Sequence, residues 1–309
     1  MRRAKAASHP FFAAPLLVLV ISVFVLLLRL LELASISELS FYIIMIALQA
    51  AIFGVPAAVF CAFRQKGYLS ALNLYLPRKR TIPVIIFGTL FLILLSCVLK
   101  FGLFHFAYDA SAYSLYGSSI SVKTDSFVSG ILMVIALAVV PAVTEEFVFR
   151  GIIMREYRMG GSLFSMLMSA LFFAFIHFDL RQFPVYFVLG LVLAWLVFLT
   201  RSLWASVIAH MIYNLFEIFL EKYIWLFSSN PDSDILFWLI LIAIMLVCAF
   251  FFLSSSERVL RFYAEIGEEA QAPVDKSKLA FMLYDVFTSV PLLAETLLFL
   301  VFGIIFLFL

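Results

Sequence analysis

Nine stretches of the chain, at residues 12–34, 41–63, 82–107, 126–153, 162–178, 183–200, 203–227, 234–253 and 286–309, stay apolar for about the 20 residues that a helix needs to cross a bilayer. Inside lipid every backbone N–H and C=O must find a partner within the protein, so only helices and closed barrels can span. The runs are continuous, whereas barrel strands would alternate over about 10 residues. The expected fold is therefore all-α, a polytopic transmembrane helix bundle of eight core spans with a ninth span towards the C-terminus. Of the 309 residues, 65% are hydrophobic and 13% are charged, about half the charge of a soluble domain. The bilayer is the expected surrounding, and no nucleic-acid partner is expected.

The opening MRRAKAASHPFF resembles a secretory signal, but the apolar run behind it is too long and lacks a clear cleavage site, so it reads as a retained helix. Cys61, Cys97 and Cys248 fall in separate apolar windows without a CxxC pair and read as packing residues. With the N-terminus inside, sixteen of the 21 Lys and Arg residues lie in cytoplasmic segments, three (Lys123, Arg181 and Lys222) in outer loops, and Arg29 and Lys100 within spans. That bias predicts a cytoplasmic N-terminus and, for nine spans, a C-terminus outside.

The chain divides into a three-helix region over 1–125, a core over 126–228, an eighth span at 229–253, a polar cytoplasmic linker at 254–285 and a hydrophobic segment at 286–309. The linker mixes both charge signs around Pro273 and is expected to form a surface helix followed by a connection. The last segment would then be peripheral to an eight-helix body.

Within the core, the stretch PAVTEEFVFRG sets Glu145, Glu146 and Arg150 into an otherwise apolar window. Each charge at mid-bilayer costs roughly 2.5–3.5 kcal/mol, so such groups usually face a bundle interior. Glu146 and Arg150 are four apart and can pair on one helix face. Glu145 is rotated about 100° away and lacks that partner. Later windows bring His177, at the end of LFFAFIHF, and His210 with Asn214, four apart in ASVIAHMIYNLFE. His9 sits in the basic tail and His105 near the end of the third window.

An intramembrane His or Asn often serves only as hydrogen-bond glue between helices, and Glu146 with Arg150 could be a purely structural pair. One unpaired carboxylate, two imidazoles and a carboxamide on three nearby helices fit a reaction centre better. The chemistry they suit is hydrolysis. A glutamate withdrawn from water accepts a proton more readily than a solvated one, His177 could hold the same water, and His210 with Asn214 could stabilise an oxyanion. Alternatively, Glu145, His177 and His210 could hold a divalent metal such as zinc, leaving a fourth position for water. There is no HExxH. Ser169 and Ser206 read as small packing residues, and Phe173 as apolar filler.

These residues resemble the signature of the CAAX protease and bacteriocin-processing family of intramembrane endopeptidases, related to the prenyl-protein CAAX endopeptidase. Its EExxxR, FxxxH and HxxxN motifs correspond here to Glu145, Glu146 and Arg150, to Phe173 and His177, and to His210 and Asn214. The resemblance covers about 141–217. It implies cleavage of a membrane-associated or lipidated peptide or protein, with Glu145 and His177 handling the water, His210 and Asn214 at the oxyanion, and Glu146 and Arg150 in support. It also implies a bacterial cell membrane as the expected home. Some members are non-catalytic immunity or regulatory proteins, which keeps that reading open. A proton-coupled transporter would also use buried Glu and His, but would be expected to carry inverted repeats, and none is visible.

Depth is the difficulty. If the fourth helix ends near Met154, Glu145 lies roughly 13 Å from the cytoplasmic end and His210 about 10 Å, whereas His177 lies near 22 Å from Ser162. Tilt, or a fifth helix whose first turns project from the membrane, would be required to bring them level.

Overall fold

The computed structural model describes residues 10–29, 38–104, 126–228, 234–267 and 276–308. The basic N-terminal tail with His9, and the connection carrying His105 and Lys123, lie outside them. The described residues form helices and short connections with no strand: α1 (Pro10–Arg29), α2 (Glu38–Ala62), α3 (Ile82–Phe104), α4 (Phe127–Gly160), α5 (Ser162–Phe175), α6 (Phe183–Thr200), α7 (Leu203–Phe219), α8 (Glu221–Ser228), α9 (Asp234–Glu265), α10 (Lys276–Phe287) and α11 (Val290–Phe308).

Each of the nine apolar windows forms helix over its described residues, but they are not equal. Seven helices are long and apolar enough to span, while α5 and α7 are shorter apolar helices of 14 and 17 residues. At 1.5 Å per residue, α5 is about 21 Å long, short of the roughly 30 Å hydrocarbon core. The backbone after it turns at residues 176–182, where Ile176, Phe178 and Gln182 are buried and Arg181 is exposed. The window at 203–227 is likewise broken, with α7 ending at Phe219 and a separate α8 beginning at Glu221.

α4 is the longest departure from the expected boundaries. It continues past Met154 through a closing 3-10 turn, Tyr157–Gly160, and the chain reverses at Gly161. There φ is +97°, a conformation that side-chain-bearing residues rarely adopt. Glu145 is sixteen residues before Gly161 and His177 sixteen after it. Glu145 and His177 thus stand at equal counts from one turn on two antiparallel arms, the first turns of α5 running beside the extension of α4. The hairpin is completed by α6, which approaches α5 so closely that a Cβ on Gly190 would lie 2.8 Å from the Ala170 backbone.

The polar segment after residue 253 does not open a separate surface helix. α9 runs unbroken to Glu265, supported in its exposed last turns by the Glu257–Arg261 pair. α9 lies along α3, with Phe251 stacked on Phe87 and Phe252 on Phe91, their ring centroids 5.0 and 5.8 Å apart.

The last helix is not peripheral. α11 packs on α1, where Ser22 Oγ donates to the buried carboxylate of Glu295 at 2.6 Å. Phe299 stacks on Phe175 with ring centroids 4.7 Å apart, and Arg181 donates to the carbonyl of Leu307 at 3.0 Å. Leu292 and Phe299 belong to the same buried core as α1, α5 and α6.

Candidate active site

The two acids sit between irregularities in α4. Two π-helical segments, Ile135–Val139 and Phe147–Ile153, bracket the α-helical turn Val140–Glu146. π turns close their hydrogen bonds one residue further along than α turns and occur chiefly where function requires an altered side-chain direction. A side chain from a neighbouring helix adds to one buried carbonyl: Ser169 Oγ donates to Phe149 O at 2.9 Å, beside the Met154 N–H. Asn214 Nδ2 lies 3.5 Å from Ala138 O, at the long limit of a hydrogen bond.

Glu146 is wholly buried, and its Oε1 receives both Arg150 Nη1 at 2.6 Å and His210 Nδ1 at 2.9 Å. Both Nη groups of Arg150 are engaged, while its buried Nε has no hydrogen-bond partner among the described residues. Its second arm donates to Gly190 O at 3.1 Å, and its guanidinium lies over the Phe173 ring, 4.5 Å from the centroid. Glu145, one residue earlier and 8% exposed, receives the amide of Gln49 at 3.0 Å from α2 instead of a cation.

The imidazoles are oriented by what they donate to. Phe173 O can only accept, so its 2.7 Å contact makes His177 Nδ1 the N–H and leaves Nε2 of the neutral ring with a free lone pair. Tyr186 stacks on the His177 ring with centroids 3.9 Å apart at 20°. His210 donates from Nδ1 to a carboxylate, so its Nε2 likewise points away from its support. The backbone carbonyl of His177 is itself capped by Arg29 at 2.6 Å, which satisfies an acceptor freed by the end of α5.

The six residues read from the sequence come from α4, α7 and the turn after α5; Glu146, Arg150, His210 and His177 are joined directly or through the Phe173 ring, whereas Glu145 meets Gln49 and Asn214 meets the Ala138 carbonyl. Phe173 is more than filler: wholly buried, it carries Arg150 on its face, with His177 and His210 against it at centroid distances of 4.9 and 5.7 Å. Gln49, Tyr186 and Arg29 also border the site, outside the three motifs. Gln49 had a signal, since it is the one amide in a window of otherwise apolar and small residues from Ile43 to Phe60. Tyr186 had none, and Arg29, legible as a cation within a span, gave no hint of its partner, because the bond to the His177 carbonyl joins elements 148 positions apart.

Glu145, His177 and His210 do not assemble as a ligand set. Among the described residues no group of three or more His, Cys, Asp or Glu side chains is close enough to hold a metal ion.

A second buried ionic cluster was not visible as such. Lys100 of α3 donates to Glu217 of α7 and to Glu221 of α8, both at 2.6 Å, and Tyr213 donates to Glu217 at 2.6 Å. Tyr213 and Glu217 lie on α7 beyond His210, so one short helix serves both clusters.

Residues 126–216 match the family described as Type II CAAX prenyl endopeptidase Rce1-like. The Bacillus subtilis (strain 168) protein named "Putative membrane peptidase YdiL" is 31% identical to the chain over 91 residues, which is 29% of this chain and 37% of that protein. The chain thus matches just over a third of the length of this curated relative. No solved structure matches.

Proposed function

We propose, from the match of residues 126–216 to the Rce1-like family and to a protein named as a membrane peptidase, that the chain is an intramembrane endopeptidase of the CAAX protease and bacteriocin-processing type, cleaving a membrane-associated or lipidated peptide or protein. One observation carries the reading: adjacent buried acids are held differently, Glu146 by Arg150 and His210, Glu145 by an amide alone. Charge neutralisation is spent on Glu146, so Glu145 keeps the capacity to accept a proton.

Glu145 takes a proton from water as the oxygen bonds to the peptide carbonyl carbon, and His177 Nε2 accepts the water's other hydrogen in a hydrogen bond. Negative charge gathers on the carbonyl oxygen. His210 meets it when its Nε2 carries a proton, the resulting imidazolium being stabilised by Glu146, and the loosely held Asn214 carboxamide donates beside it. The C–N bond then breaks as the proton on Glu145 passes to the leaving amine. Arg150 and Phe173 position Glu146, His210 and His177. None of these steps is routed through a metal.

The test is cleavage of a membrane-anchored peptide library by the purified protein, read by mass spectrometry. Glu145→Gln and His177→Ala should each lower turnover by about 10²–10⁴-fold, the range for a general base, while leaving thermal stability unchanged. A chelator should leave the wild-type rate intact. Full turnover by folded Glu145→Gln would overturn the assignment, and loss with chelator restored by zinc would require the three metal candidates to come together.

A further inference from the structure

Where α3 enters the membrane and the apolar part of α9 leaves it, a cavity of about 420 Å³ is lined by Arg78, Lys79, Arg80, Thr81, Pro83, Ser255, Arg258, Val259, Phe262 and Tyr263. Four of these are cations and none is acidic. Among the described residues, Arg78, Lys79, Arg80 and Arg258 form no ion pair with a carboxylate, unlike Arg64 with Glu156, Arg261 with Glu257 and the two buried clusters. Like charges held around one cavity repel, and an anion seated among them relieves that repulsion.

The walls of this open cavity are fixed by contacts, while its four cations stand exposed. Thr81 Oγ1 donates to Arg78 O at 2.8 Å and fixes the turn that carries the three consecutive cations. Tyr263 OH donates to Leu199 O at 3.0 Å and fixes the opposite wall. Arg80 lies 4.5 Å over the Phe262 ring, Arg258 donates to Ser255 Oγ at 3.0 Å, and Arg201 rests on the outer face of Tyr263, 4.0 Å from its centroid.

Its level selects the occupant. The 31-residue apolar helix Ile235–Glu265 is about 46 Å long and exceeds the hydrocarbon core by about ten residues, so Ser255–Tyr263 stand at and beyond the boundary. Immediately on the membrane side, Ile82, Ile86 and Phe251 are exposed on α3 and α9, a surface suited to acyl chains. We propose that this cavity binds the phosphate headgroup of an anionic phospholipid, its chains running along the α3–α9 face. Arginine forks match phosphate oxygens in pairs, and four cations suit a two-phosphate headgroup better than one. The inference is independent of the peptidase reading.

Delipidated full-length protein in neutral detergent, examined by native mass spectrometry and thermal unfolding, provides the test. Added diphosphatidylglycerol should bind at one site at least tenfold more tightly than phosphatidylcholine and raise the unfolding temperature, with phosphatidylglycerol intermediate. The triple change Arg78→Gln, Lys79→Gln and Arg258→Gln should abolish that preference, Arg258→Lys should retain it, and Arg261→Gln, outside the cavity, should leave it unchanged. Equal binding of zwitterionic lipid, or an undiminished preference in the triple variant, would overturn the proposal. So would an equal thermal shift from inorganic phosphate alone, which would make this a site for soluble anions.

Discussion

The two buried ionic clusters hold the same permanent inventory, two glutamates and one basic residue, and distribute it in opposite ways. Lys100 is a compact ammonium with three donors, and it serves Glu217 and Glu221 equally, at 2.6 Å each. Arg150 has a planar fork that faces one way, and it serves Glu146 alone while its other arm and its ring face go to Gly190 and Phe173. In the first cluster every acid touches the cation; in the second one acid is left with only an amide. Charge in a membrane is thus no sign of catalysis by itself. An acid that the packing leaves without a counter-ion is the better sign.

The largest effect should come from collapsing this asymmetry. Glu146→Gln strands Arg150 in a buried site and releases His210, so unfolding measurements should show a loss of about 3–5 kcal/mol together with loss of cleavage. A variant that kept both would mean that Glu146 supports neither partner. Lys100→Met should cost about 3 kcal/mol of stability, because it leaves two acids facing each other. Its turnover per folded molecule should match wild type; a selective fall in turnover would join the two clusters into one functional unit. Gln49→Leu should have the smallest effect, lowering cleavage about tenfold through the loss of one hydrogen bond to a charged acceptor, with little change in unfolding temperature. An unaltered rate would show that α2 merely borders the site.

Helix identity was legible from unbroken apolar runs, and the Glu146–Arg150 pair from four-residue spacing, since both are local. Helix ends were not. YRMG carries no apolar signal yet continues α4 to Gly160, and SSSERVLRFYAE looks like a linker although it prolongs α9, because a helix beyond the bilayer has no reason to be apolar. The motifs named Glu146, Arg150 and His210, but the sharing of Glu146 between the other two depends on where α7 crosses α4, which no spacing within one helix reports. The role of Phe173 was hidden for a similar reason. Apolar character is all the sequence shows, whereas its position beneath Arg150 and between two imidazoles is a property of packing. The docking of α11 depended on Glu295, an acid in an apolar run whose partner Ser22 lies 273 positions away.

The reversal at Gly161 works as the zero mark of a ruler with two equal arms. Removing one residue from either arm would slide its reactive group by about 1.5 Å and swing it by about 100° relative to the other. Length variation in a lineage carrying this hairpin should therefore collect in the outlying connections, while the count from Glu145 to His177 is held fixed whatever becomes of the side chains between them.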